Sequence, residues 1–338
     1  MISLNQGQRI EKYEVIAPLN TGNFGAVFKM RDTALNVIKA VKFVEITGTE
    51  DYKDALEAQL MHRCRHENCV HVNEVNIYRV GGVRYYAIDM EFAAKGSLEG
   101  LLETDAAGLS RLLSSFCDVL YGLAYAHGQG VIHADIKPGN ILLFDSGAKL
   151  SDFGLAFSPA GTAPPANLKY FTHCAPEMIG STIKNVLTDI YATGVTLFRA
   201  LNRLSDWDQA QSRIVDVRMA IRNGTFLAQI GYEDFVPSQL RRVVNKACHV
   251  NPALRYQSAA EMRQALERLP MSVDWRRIDA HHWSGTERGK AHEVEVTADF
   301  DVVYKVNGRR RTELCSEHAS RAPAVKAMHK TIAKSSLA

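Results

Sequence analysis

Apolar residues recur along this chain in two rhythms. Between Arg111 and His127 they fall at Leu112, Leu113, Phe116, Leu120 and Leu123, the three-and-four spacing of an amphipathic helix. The run ends in His127-Gly128-Gln129-Gly130, a helix stop. Asp54 to Met61 predicts another helix, with Leu56 and Leu60 on one stripe. Elsewhere the period is two. Ile38-Lys39-Ala40-Val41-Lys42-Phe43 predicts a strand with Ala40 and Lys42 on one face and Lys39 on the other. Ile141-Leu142-Leu143 is a short apolar strand, followed by the turn residues Asp145-Ser146-Gly147 and a second strand up to Ser151, which predicts a hairpin.

The C-terminal quarter has its own pattern. Val294 and Val296 alternate with polar residues, as do Phe300, Val302, Tyr304 and Val306. Asn307-Gly308 is a strong hairpin turn, and Arg309-Arg310-Arg311 begins the return strand. From about Ser320 a helix follows with Pro323 early in it. Val325, Met328 and Ile332 are expected to face the sheet, with Lys326, Lys330 and Lys334 on another stripe.

Composition narrows the class. The chain has 338 residues, enough for two or three lobes with separate cores, and its 46% hydrophobic and 23% charged content is that of a globular protein. No apolar run approaches the roughly 18 residues that span a bilayer. The first residues lack the basic start and apolar core of a signal peptide, and the six cysteines lack paired spacing, so a cytoplasmic location is expected, with no membrane partner. His62, Cys64, His66, Cys69 and His71 are dense enough to suggest zinc, but their spacing fits no C-x₂-C arrangement and zinc is set aside. The net charge of +3 belongs to Met271–Ala338, which holds 12 basic and 9 acidic residues; the remainder is neutral.

The densest chemistry lies in His133-Ala134-Asp135-Ile136-Lys137-Pro138-Gly139-Asn140 and Ser151-Asp152-Phe153-Gly154. The hairpin between them brings Asn140 and Asp152 side by side. Such hard oxygen ligands suit Mg²⁺, which needs only one or two protein groups besides phosphate oxygens. Asp135 is placed to accept a hydroxyl proton, and Lys137 to steady a transferring phosphoryl group. Upstream, Leu19-Asn20-Thr21-Gly22-Asn23-Phe24-Gly25-Ala26-Val27 lies between two candidate strands. Its glycines let backbone N–H groups approach phosphate, although alone it reads equally well as a plain hairpin.

Together these segments resemble the protein kinase family, from about Tyr13 to Leu269. The resemblance implies an α+β bilobal fold over residues 9–270, with a small β-rich N-lobe (9–90), a larger helical C-lobe (94–270), and a small α+β appendage beyond. It implies transfer of the ATP γ-phosphoryl group to a protein hydroxyl with Mg²⁺ held by Asn140 and Asp152. Asp135 would be the base, aided by Lys137. Lys42 would hold the phosphates and Glu57 would ion-pair with it. Around the adenine, Leu19, Gly22, Gly25, Val27 and Ala40 would line one side, Leu142 the floor, Met90 the back of the pocket, and the backbones of Glu91 and Ala93 the hinge. Glu177 of Ala175-Pro176-Glu177 and Arg255 would form a buried pair, and Asp189 would hold the catalytic loop. These last features favour a protein substrate over a small alcohol, and Lys137 favours Ser/Thr, with autophosphorylation among the outcomes.

The chain departs from the family in three places. Asn20 replaces the first glycine of the phosphate loop. Ala134 stands where most members have the arginine that a phosphorylated activation loop neutralises, so activity is expected not to depend strictly on phosphorylation at Ser158, Thr162, Tyr170 or Thr172. Lys169-Tyr170-Phe171-Thr172-His173-Cys174 replaces the usual Gly-Thr-x-x-Tyr-x. The competing reading is a pseudokinase or ATP-binding scaffold whose C-terminal module binds a partner or nucleic acid. Residues 271–290 read as a linker or docking segment, although Trp275 and Trp283 suggest packing. Residues 291–338 read as a basic β-β-β-α appendage that faintly resembles a double-stranded-RNA-binding domain. For its charges a solvated face is the favoured reading over nucleic-acid contact.

Overall fold

The computed structural model describes residues 2–22, 25–46, 65–104, 107–153, 171–181 and 184–337. The period-two segments of the first 91 residues pair into one antiparallel sheet: β1 (Arg9–Ile10), β2 (Tyr13–Gly22), β3 (Gly25–Asp32), β4 (Val37–Glu45), β5 (Val72–Val80) and β6 (Val83–Glu91), in the order β1-β2-β3-β4-β6-β5. Alternation divides its side chains between two cores. Tyr13, Phe28, Met30, Val41, Phe43 and Tyr85 pack on one face, where Ile2 and Leu4 close over them. Ala40, Ile88 and Met90 belong to the opposite face and join the core that runs into the second lobe. Register places Lys42 between Val27 and Ile88, and Ala40 beside Met90.

The second lobe is helical. It starts with α1 (Leu98–Thr104) and α2 (Leu109–Gly128), then a two-stranded hairpin of β7 (Ile141–Phe144) and β8 (Gly147–Leu150). Next comes α3 (Val186–Leu201), buried nearly all round as befits a central helix. Asn185 starts it with a reciprocal capping box to Thr188. Three short helices follow, α4 (Trp207–Gln211), α5 (Val217–Arg222) and α6 (Phe226–Ile230), and then α7 (Ser238–Ala247) and α8 (Ala259–Glu267). The architecture is α+β and bilobal, sheet first and helices second.

The C-terminal region departs from its sequence reading. Residues 271–290, expected as a linker, contribute two strands, β9 (Asp274–Arg277) and β10 (His282–Glu287). With β11 (Lys290–Val296), β12 (Val302–Val306) and β13 (Arg309–Arg310) they form a five-stranded antiparallel sheet in the order β13-β12-β11-β10-β9, covered by α9 (Arg321–Ser336). The appendage is therefore β-β-β-β-β-α and begins near residue 271. Its first two strands hide in the sequence because the anchors Trp275 and Trp283, both buried, sit among charged and small residues, and Gly285 occupies an inward position where only glycine avoids Trp275. Asn307 and Gly308 both have positive φ (48° and 74°), as the short turn requires. The buried stripe of α9 is Ala324, Met328, Ile332 and Ser336, with Val325 half-buried at its edge. On the open face of the sheet one cross-strand row runs Arg276, Ser284, Glu293, Lys305 and Arg310, so the single acidic residue Glu293 lies beside Lys305, and Lys305 pairs with Glu295 at 2.8 Å.

Candidate active site

The loop between α2 and β7 is suspended from one buried carboxylate. Asp189, in the first turn of α3, accepts the backbone N–H of Ala134 at 2.8 Å on Oδ1 and that of His133 at 2.9 Å on Oδ2. The same Oδ2 meets His127 Nε2 at 2.8 Å. His133 is fully buried, with Nε2 3.0 Å from the carbonyl of Ser151 and its ring against Phe153 at 4.7 Å. Ala134 adopts φ of 61°, a left-handed conformation that costs an alanine steric energy and that the Asp189 hydrogen bonds over-determine.

This suspension presents Asp135. Lys137 Nζ donates to Asp135 Oδ2 at 2.7 Å, and Asn140 Nδ2 donates to the same oxygen at 2.9 Å and to the Asp135 carbonyl at 2.8 Å. Burial pushes the Asp135 carboxyl above the usual carboxylate range, against the pull of Lys137, so this is the more basic carboxylate of the site. The β7–β8 hairpin then returns the chain: Ser151 donates its N–H to Asn140 O at 2.9 Å, which sets Asp152 beside Asn140. Asp152, also at positive φ (60°), accepts from Lys42 Nζ at 2.9 Å. Burial pushes its carboxyl up, but Lys42 with more distant Lys137 and His133 outweighs it and holds the group down at about 2. Two aspartates thus meet here with opposite tendencies, one toward accepting a proton and one toward permanent charge.

Lys42 is buried on the inner sheet face, whereas Lys39 points the other way and lies 3.5 Å from Asp89. Glu57, expected to pair with Lys42, lies outside the described residues, as do Asn23, Phe24 and Gly154. Gly25, at φ of 121°, sits so close to the Phe43 carbonyl that a Cβ would stand 2.4 Å from its oxygen. Ala40 and Met90 are buried and Val27 and Leu142 half-buried around the expected base pocket, while Leu19 at its rim is exposed. Glu91 gives its N–H to His71 O at 3.1 Å, so only its carbonyl remains as a hinge group, beside the backbone of Ala93.

Three features escaped sequence reading. The Glu91 carboxylate is held from both lobes, by Lys149 Nζ at 2.7 and 2.8 Å and by the His71 N–H at 2.8 Å. His127, legible only as part of a helix stop, is fastened to Asp189. Thr172, one of the expected activation-loop hydroxyls, is buried and accepts Trp207 Nε1 at 2.8 Å; Ser158, Thr162 and Tyr170 lie outside the described residues. The Glu177–Arg255 pair is present at 2.7 and 2.8 Å, and the guanidinium also donates to the carbonyls of His249, Leu187 and Val250, so all five of its N–H groups are used.

Among the described residues no group of three or more His, Cys, Asp or Glu side chains is arranged to hold a metal ion, and His66, Cys69 and His71 form no such group. The five described cysteines are free thiols, and no described helix is long and apolar enough to cross a membrane.

Residues 13–267 match the family model for the protein kinase domain. Serine/threonine-protein kinase 1 of Arabidopsis thaliana is 34% identical over 201 residues, covering 57% of this chain and 24% of its own length. Serine/threonine-protein kinase sid1 of Schizosaccharomyces pombe is 34% identical over 197 residues, 56% of this chain and 41% of its own. A probable serine/threonine-protein kinase of Clostridium acetobutylicum is 27% identical over 267 residues, 76% of this chain and 40% of its own. The chain spans less than half the length of each of these three relatives.

Proposed function

The chain belongs to the protein kinase family, and on that premise we propose that it is a serine/threonine kinase transferring the ATP γ-phosphoryl group to a protein hydroxyl. One observation carries the reading: Lys137 and Asn140 both donate to Asp135 at 2.7 and 2.9 Å, the Ser151 N–H ties the start of the Asp152 segment to the Asn140 carbonyl at 2.9 Å, and Lys42 reaches Asp152 from the other lobe at 2.9 Å. Asp135 takes the hydroxyl proton, its raised carboxyl making it the better base. Lys137, on the same carboxylate, orients it and lies where the transferring group's charge develops. Lys42, buried and held by Asp152, binds phosphate oxygens, with Glu57 as its expected partner.

The ionised carboxylate of Asp152 and the amide oxygen of Asn140 are hard donors on either side of one hairpin, and this donor set fits Mg²⁺. When bound, the ion neutralises and orients the ATP phosphates. Val27, Ala40, Met90 and Leu142 enclose the base, and the Glu91 carbonyl and the Ala93 backbone meet its edge.

Ala134 offers no side-chain charge for a phosphorylated loop to neutralise, and buried Thr172 is closed to modification in this conformation, so activity does not require activation-loop phosphorylation. On the appendage's sheet Lys305 is paired with Glu295 and lies beside Glu293, which supports a solvated surface there rather than a nucleic-acid site. The test is incubation with γ-labelled ATP and Mg²⁺, with and without Asp135→Ala. Label on serine or threonine that vanishes in the variant is the expected result. ATP binding with no transfer would make the protein a nucleotide-gated scaffold. A variant lacking Ser158, Thr162 and Tyr170 hydroxyls together should keep its activity, and complete loss would refute the phosphorylation-independent reading.

A further inference from the structure

Helix α2 is 20 residues long and brings no cap of its own: its N-cap position is Gly108, with no side chain to satisfy the first N–H groups. The cap comes from 164 residues away. Asp274, at the start of β9 in the C-terminal module, accepts the N–H of Ser110 on Oδ1 at 2.8 Å. A Cβ on Gly108 would lie 2.8 Å from both Asp274 carboxylate oxygens, so the glycine leaves room for the visiting carboxylate. The negative charge also lies at the helix end that favours it.

Other contacts fix the module at the same corner. Arg203, just after α3, donates Nη2 to the Ala107 carbonyl at 2.9 Å and stacks on Trp283 of β10 at 5.2 Å. Phe235 packs on Trp283 at 5.1 Å and on His329 of α9 at 5.2 Å. Leu109, Leu112, Leu201, Phe235, Trp283 and Ile332 surround a cavity of about 30 Å³ between module and lobe, room for a single water.

The other end of α2 reaches the chemistry. His127 in its last turn bonds Asp189, whose two oxygens hold the His133 and Ala134 amides just before Asp135. We propose that the C-terminal module is a positioning element of the catalytic lobe: by lending Asp274 as the missing cap of α2 it fixes that helix, and through His127 and Asp189 it fixes the loop bearing Asp135. Residues 271–337 thereby gain a function beyond the kinase domain proper, and whatever lifts the module from the α2 terminus lowers catalysis without touching the nucleotide pocket.

The test uses the full chain with Asp274→Ala, and Asp274→Asn as the conservative variant, since asparagine caps helices as well as aspartate. Amide exchange is followed at Leu109–Leu113 and at His133–Ala134, together with kcat and the KM for ATP. Losing a cap raises local opening roughly fivefold. For Asp274→Ala the expected result is faster exchange in both segments, kcat lowered by a similar factor and KM for ATP unchanged, with Asp274→Asn close to the parent protein. Faster exchange confined to Leu109–Leu113, with the loop amides and kcat at parental values, would overturn the coupling, and so would an unchanged α2 terminus. The exchange readout needs no phosphoryl transfer, so it stands whether or not the chain is an active kinase. If Asp274→Ala does not fold, Gly108→Ala, whose Cβ would displace the Asp274 carboxylate from the helix end, carries the same comparison.

Discussion

His127 and Asp189 meet at 2.8 Å, and this one contact joins the end of α2 to the residue that holds the catalytic loop. Asp189 is 1% exposed and satisfies three donors, so its charge is stabilised by hydrogen bonds where water cannot reach it. His127→Ala removes one donor of three. A hydrogen bond to a buried charge contributes about 1.5–3 kcal/mol. The variant is therefore expected to lose about that much unfolding free energy, seen as a lower urea midpoint at unchanged slope, and to lose kcat with little change in KM. An unchanged urea midpoint would show the contact to be idle.

Arg255 commits all five of its guanidinium N–H groups within the helical lobe. Arg255→Lys keeps the charge but cannot reproduce five directed bonds. Stripping a buried partner from a pair of this kind costs about 3–5 kcal/mol, so a large fall in melting temperature is expected in calorimetry. A loss below about 1 kcal/mol would contradict that account.

Lys42 and Asp152 give a pH signature. The Asp152 carboxyl is lowered from 3.8 to about 2, so its contribution to stability is present above pH 4 and is lost as pH falls toward 2. Lys42→Met removes the main cause. The variant is expected to be less stable than the parent at pH 7, with the gap closing between about pH 4 and 2, and to transfer phosphate on the order of 10²-fold more slowly. Parallel stability curves down to pH 2 would rule out this linkage.

Asp135 has the opposite sign. Its carboxyl is raised, so at neutral pH its charge works against the folded state. Asp135→Asn is expected to leave the fold at least as stable, with a melting temperature equal to or above the parent's, while transfer falls by roughly 10²–10⁴-fold. A marked drop in melting temperature would show that the carboxylate is a structural tie.

Ala134 is strained by its backbone. An alanine at φ of 61° carries roughly 1–2 kcal/mol that glycine does not. Ala134→Gly, after allowing for glycine's greater unfolded freedom, is expected to raise stability by up to about 1 kcal/mol. Ala134→Val is expected to lower it, with Asp189 still in place. The ranking Gly, Ala, Val in chemical denaturation checks it.

Much of this was legible in the residues themselves. Asp135, Lys137, Asn140 and Asp152 sit within 18 positions, and a hairpin is a local event, so spacing alone placed them together. Lys42 was separable from Lys39 because a strand has only two faces. The C-terminal strands β9 and β10 were not legible, since their period-two signal is carried by two tryptophans among charges.

The sequence by itself determined the chemistry: which side chains could take a proton, hold a cation or line a base pocket, and the hairpin and strand faces that carry them. These follow from short-range spacing. Only the tertiary structure decided how that chemistry is held. Asp189 beneath His133 and Ala134, Lys149 on Glu91, Trp207 on Thr172 and Asp274 at the head of α2 are contacts between positions tens to more than a hundred residues apart. No periodicity encodes such contacts, because they arise only when packed helices and sheets bring their buried faces together.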